Sequence, residues 1–328
     1  MSNATAPASP AAAVRSTRST DIDQHTEQLQ DWDLHYDQLD CGAFEGRFTD
    51  VRCDAVQLFV ERTTRRVRQR GQLAPGSCGF GILAEGEGVL HLNGVRAGRD
   101  ELLVAREAAA LDLCTPTDCT LAGVVVDAQA LNEAASALGE QPWWPGGPDR
   151  LLAVTPPAPA LSTWRELLLF ATRSVCERPD LLDSADARRL LHDELLTQLV
   201  GLLGAARIGD RVRRADARKR MVDRACDLLL SQPDEPMSLL EVCREVGASP
   251  RKLGYCFQDV LGLSPARFVK TTRLNAVRRE LARGSQAQSV YDVAARWGFW
   301  HFGHFSSDYK RQFGELPSQT LRRAALVH

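Results

Sequence analysis

No stretch of the 328 residues approaches the ~18 consecutive apolar residues of a membrane-spanning helix, so a membrane is not an expected partner. The nine cysteines are odd in number and carry no metal-ligand cadence. Their nearest approach to a pair is Cys114 with Cys119, whereas a zinc module needs two such pairs at ligand spacing. They read instead as small apolar residues in a reducing cytoplasm. Also missing are a glycine-rich phosphate loop, a serine nucleophile elbow and an HExxH run. A metal-dependent barrel enzyme would show clustered histidines, yet between Phe44 and Asp127 there is only His91. No catalytic residue and no metal ligand is therefore expected, and an enzyme with a DNA-targeting tail is the weaker alternative. Met1 to about Thr26 is rich in Ala, Ser, Thr and Pro without an apolar core of signal-peptide length. Residues 1–27 are expected to be a disordered tail.

The most informative positive feature is a repeat. Val242, Val246 and Gly247 recur as Val293, Trp297 and Gly298 at an offset of 51; Phe257, Gly262 and Pro265 recur as Tyr309, Gly314 and Pro317 at 52. Each copy reads as helix, glycine turn, helix. Two such units can set two helices into successive major grooves, which makes double-stranded DNA the first partner to consider. Charge is divided to match. Residues 211–328 hold 21 Lys+Arg against 12 Asp+Glu, while the other 210 hold 19 against 30. One basic unit beside an acidic one suits a polyanion on one half only.

The acidic half begins as β-structure. Val56, Leu58 and Val60 alternate with Gln57, Phe59 and Glu61, and Leu111, Leu113 and Thr115 alternate again. Asn93-Gly94 is a tight-hairpin dipeptide, and Leu121–Val126 is an apolar, β-branched run. Many short strands with glycine turns predict a barrel or sandwich. The period then changes. Leu161, Trp164, Leu168 and Val175 share one helical face, and so do Leu191, Leu195 and Leu199. This predicts a helical hairpin over about 161–204, packed on the barrel, paired with a second copy, or both. The expected organisation is α+β in two domains. A β-rich, cupin-like sensor with its hairpin spans 28–204, a linker spans 205–220, and an all-α double helix-turn-helix spans 221–328.

Within the basic unit, Ser238 with Glu241 forms a capping-box pattern, and Ser249-Pro250 opens a helix. Leu253 and Phe257 would be buried, leaving Arg251, Lys252, Gly254 and Tyr255 outward. Phe268–Arg283 reads as one long helix whose Arg273, Arg278 and Arg279 either are a solvated face or touch phosphates. Phe305, Tyr309 and Phe313, at spacing four, form a core stripe. His301, Gly303, His304, Ser306 and Ser307 are then outward, with Lys310 and Arg311 placed for phosphate. His301 and His304 invite a metal reading, but no third ligand is apparent.

The stretch DVAARWGFWHFGHFSSDYKRQFGELPSQTLR resembles the second helix-turn-helix of the AraC-type transcription regulators. Its marks are Gly298-Phe299, the aromatic spacing and the Gly314 to Pro317 ending; Leu239 to Pro265 resembles the first unit. RLNAVRREL, WGFWH, WDLHYDQLDCGAFEGRFTDV and TPTDCTLAGVVV are similar to a branch of the family that governs ethanolamine use. The resemblance implies a cytoplasmic, homodimeric transcription activator that contacts RNA polymerase. It implies a small-molecule effector: ethanolamine with adenosylcobalamin as co-effector, or another molecule if the chain controls a different catabolic operon. No cofactor is implied for DNA binding itself. Carried over by position, base-reading candidates are Arg251, Lys252, Tyr255, His301, His304, Ser306 and Ser307, with Phe302 and Gly303 also on the second reading face. Ser307 stands where the family often has arginine. Pocket residues carry no linear motif.

Overall fold

The computed structural model describes residues 13–29, 32–106, 110–140, 152–208, 212–231, 237–284 and 289–325. In chain order the strands are β1 (Ala13–Ser19), β2 (Asp33–Gln38), β3 (Gly46–Cys53), β4 (Val56–Thr63), β5 (Val67–Gln72), β6 (Ser77–Glu85), β7 (Leu90–Leu92), β8 (Val95–Ala97), β9 (Leu102–Arg106), β10 (Leu111–Cys114), β11 (Cys119–Asp127), β12 (Leu152–Thr155) and β13 (Arg207–Ile208). The helices are α1 (Ile22–Glu27), α2 (Ala128–Ala137), α3 (Ala158–Glu177), α4 (Ala185–Gly204), α5 (Val212–Leu230), α6 (Leu239–Glu245), α7 (Pro250–Leu261), α8 (Pro265–Ala282), α9 (Val290–Arg296), α10 (Phe302–Phe313) and α11 (Pro317–Ala325). Among the described residues no helix is long and apolar enough to cross a membrane.

The strands form an eight-stranded sheet, β1-β3-β4-β11-β6-β9-β12-β13, facing a five-stranded one, β2-β5-β10-β7-β8. Period-2 alternation sorts each strand between two surroundings. On the large sheet, Leu58, Phe80, Ile82, Val124 and Val126 point outward and pack under α3 and α4 through Trp164, Leu168 and Leu199. The intervening Phe59, Leu83 and Leu121 point inward and meet Leu92, Leu113, Tyr36 and Val67 of the small sheet. The helical hairpin thus packs on the sandwich, as one of its expected arrangements has it. Asn93 and Gly94, both at positive φ, turn β7 into β8.

Two expectations are corrected. Residues 13–27 are not a disordered tail: β1 pairs along its length with β3, and Asp21 caps α1 by accepting from the Asp23 and Gln24 amides. Residues 1–12 lie outside the described residues. Nor is the segment before Met221 a linker throughout, because α5 starts at Val212. Pro and Gly are absent from Val212–Leu230, and Val222, Ala225, Cys226 and Leu229 give it a buried face against α7 and α8.

The basic unit contains two small cores, one per repeat. Val242, Leu253, Phe257 and Phe268 form the first. Val277, Val293, Phe305, Tyr309 and Phe313 form the second. Helix α8 contributes to both and joins them across about 27 Å, at 1.5 Å for each of its 18 residues.

Candidate nucleic-acid interface

The two repeats fold by the same local chemistry. Ser238 and Glu241 form a reciprocal capping box at the start of α6, and Ser289 with Asp292 does the same for α9. Each frees the helix start of orphan amides. Gly247 and Gly298 then turn the chain at φ +65° and +77°, where a Cβ would be strained. Ser249 caps α7 by accepting from the Lys252 amide at 3.2 Å. His301 occupies the corresponding position for α10 but makes no side-chain cap bond.

The base-reading candidates fall where a groove could meet them. Arg251, Lys252 and Tyr255 are exposed on the first half of α7. The Arg251 guanidinium lies 5.7 Å from the Tyr255 ring centroid, so the two present one cation-bearing platform. On α10, His301, His304 and Ser307 are exposed, while Ser306 and Phe302 are half-buried. The His301 and His304 rings stand 6.4 Å apart, edge to face. Among the described residues no group of three or more His, Cys, Asp or Glu could hold a metal ion. Gly254 and Gly303 have open space about them, which lets a backbone approach a base edge closely.

The phosphate candidates divide. Lys310 and Arg311 are exposed near the end of α10, although Arg311 is paired with Asp308. Arg273 is half-buried on α8. Arg278 and Arg279 are not on a DNA-facing surface, and the expectation for them is corrected. Arg278 is 3% exposed, ion-paired with Asp21 and with Glu315, and its guanidinium lies over the Phe313 ring. Arg279 pairs with Asp37 at 2.9 Å and faces Asp23 at 3.9 Å. Their helix periodicity is that of an exposed stripe; carboxylates from the start of α1, from β2 and from the turn after α10 fill the space solvent would have taken.

Sequence reasoning passed over three aromatic and polar features. Trp300 is 62% exposed immediately before α10, and exposed Tyr291 stacks on Phe302 with centroids 4.8 Å apart. These aromatics flank the start of α10, and the signal for Trp300 is a Trp in a turn, where core packing does not place one. Arg66, His91 and Gln38 of the β-domain reach the far ends of both reading helices, with no signal in the linear sequence at all.

A helix-turn-helix domain model matches residues 242–323. The probable thc operon regulatory protein of Rhodococcus erythropolis is 37% identical over 150 residues, covering 43% of this chain and 45% of that protein. The XylDLEGF operon transcriptional activator 1 of Pseudomonas putida is 38% identical over 76 residues, 23% of each chain. The chain thus spans less than half the length of these curated relatives. Among solved structures, an AraC-type DNA-binding domain-containing regulator from Chromobacterium violaceum is 28% identical, covering 33% of this chain and 94% of that one at a TM-score of 0.31. The named relatives are regulators and activators of operons. Two capped helix pairs, each presenting the exposed first half of its second helix, coincide with the matched region. Residues 242–323 accordingly form a helix-turn-helix domain, folded as two such units.

Proposed function

We propose that the whole chain is a transcription activator whose β-domain binds a small-molecule effector and communicates its presence to the DNA-binding helices. One observation carries this reading: the five-stranded sheet is a wall shared by a cavity between the sheets and the DNA-binding domain. Leu92, Leu113 and Gln69 face a cavity of about 70 Å³ between the sheets. Their strand neighbours point the other way. His91 contacts the Asp259 carbonyl of α7, Asp112 pairs with Lys219 of α5, and Arg68 lies 5.2 Å from the Phe268 ring centroid of α8. A ligand that shifts an inward residue displaces the outward one on the same backbone. It alters DNA binding to the extent that it favours one arrangement of these contacts over another.

β6 carries Gly79 and Gly81 at successive inward positions; a Cβ on Gly79 would meet Leu73 Cδ1 at 3.0 Å, whereas a Cβ on Gly81 would meet no atom within 4 Å, so the open space lies at Gly81. Trp32, Phe59 and leucines supply most of the lining. Its polar members, Glu61 and Gln69, are bonded to each other at 2.8 Å, and Glu61 also to His25 at 2.9 Å. The site therefore suits a small molecule with an apolar body and a hydrogen-bond-donating head, since a buried anion would meet a carboxylate with no lining cation among the described residues. Ethanolamine, with two donor groups, is one candidate of suitable size. Adenosylcobalamin does not fit: it is many times larger than the cavity, so no role is assigned to it here. Phe170 and Leu190, 70% and 71% exposed on the helical hairpin, support a second copy of the chain as a partner, and RNA polymerase is the partner an activator requires.

The test is fluorescence anisotropy on duplexes selected by the wild-type chain, with and without ethanolamine, for wild type and Gly81→Val. The expected result is a ligand-dependent change in DNA affinity that Gly81→Val removes while keeping basal binding. A ligand response unchanged by Gly81→Val would put the effector elsewhere. Absence of any DNA selection would end the regulator reading.

A further inference from the structure

The β-domain holds both reading helices by the same end. At the C-terminus of α7, Arg66 donates to the Leu261 carbonyl at 2.6 Å and the Gly262 carbonyl at 2.9 Å, and His91 Nδ1 lies 2.9 Å from the Asp259 carbonyl. At the C-terminus of α10, the Gly42 amide donates to the carbonyls of Arg311 and Gln312 at 3.0 and 3.1 Å. Gln38 Nε2 donates to the Gln312 carbonyl at 2.7 Å. These are the carbonyls a helix leaves without internal partners, and the Arg66 cation also suits the negative end of the α7 dipole.

The two grips are one piece. The Leu39 amide donates to the Arg66 carbonyl at 2.8 Å, and the Arg66 amide donates to Asp40 Oδ1 at 2.9 Å. The loop that grasps α10 is therefore hydrogen-bonded to the residue that grasps α7. Midway, Asn275 of α8 accepts from the Gln38 amide at 3.0 Å and donates to the Gln38 carbonyl at 2.9 Å. Space is closed as well as bonded: a Cβ on Gly314, the α10 cap, would come within 3.1 Å of the Ala43 Cβ.

We propose that Gln38–Gly42 and Arg66, with His91, act as a caliper that fixes the separation and relative rotation of the two reading helices, and so the half-site spacing the chain accepts. This rests on the DNA-binding reading above. The grips leave the N-terminal halves of α7 and α10 free, the halves that contact bases in helix-turn-helix docking. Helix α8 alone is a single connection that can twist at each end; the caliper adds a second, parallel connection. One inserted base pair turns one half-site relative to the other by about 35° and moves it about 3.4 Å, so a rigid pair of helices must release one half-site.

The experiment uses the full chain and duplexes selected by it from a random library, then the same duplexes with one base pair added or removed between half-sites. Wild type is expected to lose about tenfold or more in affinity on the altered spacings, about 1.4 kcal/mol or more. Arg66→Ala/His91→Ala is expected to lose less than about threefold between spacings, whatever its absolute affinity. Gln38→Ala, at the other grip, is expected to relax spacing in the same way and covers the case in which the double variant fails to fold. Folded variants as strict about spacing as wild type would overturn the caliper while leaving DNA binding intact. So would variants weakened equally on all spacings. A wild-type chain that selects no duplex would instead remove the reading on which the caliper depends.

Discussion

Arg279, on the helix that joins the two repeats, donates to the carboxylate of Asp37, a strand residue with no solvent exposure, at 2.9 Å. Burial by itself would raise the Asp37 pKa. The hydrogen bond from His35 and the charges of Arg279 and Arg70 outweigh it and hold the carboxyl well below its ordinary range. Such a buried pair is tolerated only while both members are present.

Asp37→Ala is therefore expected to leave Arg279 and Arg70 facing one another across the domain junction and to cost about 3 kcal/mol, in the range for breaking a buried pair. Asp37→Ala/Arg279→Met should recover much of that loss. Urea unfolding checks both, and a single variant with the wild-type midpoint and slope would show that the pair contributes nothing to docking.

Acid should loosen the same junction. Burial disfavours ionised Asp112, but the hydrogen bond and charge of Arg68, joined by Lys219, bring its carboxyl down from 3.8 to about 2. A carboxyl depressed in the folded state stabilises above its unfolded pKa and loses that contribution as pH falls through the folded value. Asp112 is thus worth about 2 kcal/mol at neutral pH, lost between about pH 4 and 2, with Asp37 acting in the same direction. Asp23 runs the other way. Burial lifts it to about 6 against the pull of Arg279, so its contribution is present below its ordinary value and disappears as pH rises through 6. The urea midpoint should rise slightly from pH 7 to about 5 and fall steeply below about 4. A midpoint unchanged down to pH 3 would contradict the assignment of these ion pairs.

Arg251 is exposed on the free half of α7, and an arginine there can bond guanine O6 and N7 together. Arg251→Ala is expected to weaken binding to selected duplexes by ~1–3 kcal/mol and to relax preference at one base pair. Equal losses on selected and random duplexes, measured by anisotropy, would deny it a base-reading role.

Lys310 is exposed in the last turn of α10. If it neutralises a phosphate, Lys310→Ala lowers the slope of log affinity against log salt by about one and weakens all sequences alike. An unchanged slope in a salt titration would remove it from the interface. Arg278→Ala is the informative contrast: its cation lies inside the protein, so stability should fall.

How much of this could be read from the chain depends on distance along it. The capping boxes at Ser238 and Ser289, the glycine turns and the stripe Phe305, Tyr309, Phe313 are all fixed by neighbours within four residues. Those neighbours also decide which of Arg251, Lys252 and Tyr255 faces out. Helical period and cap chemistry suffice for such features, and the paired helix-turn-helix follows from them. Arg278 and Arg279 lie on a helix just as regular, but their partners Asp21 and Asp37 come from 257 and 242 residues earlier, and no periodicity carries that information.

The chain by itself determined that two helix-turn-helix units exist and which side chains of their second helices are exposed, because those are matters of local backbone geometry. Only the tertiary structure decided where the helices are held and what lies behind the small sheet. Two folded sheets were needed to bring Gly79 and Gly81 opposite Leu92 and leave room between them. Docked domains were needed to set Arg66 and Gln38 against the ends of α7 and α10. Contacts of that range are selected by the packing of whole surfaces, and the residues that make them look ordinary until the surfaces meet.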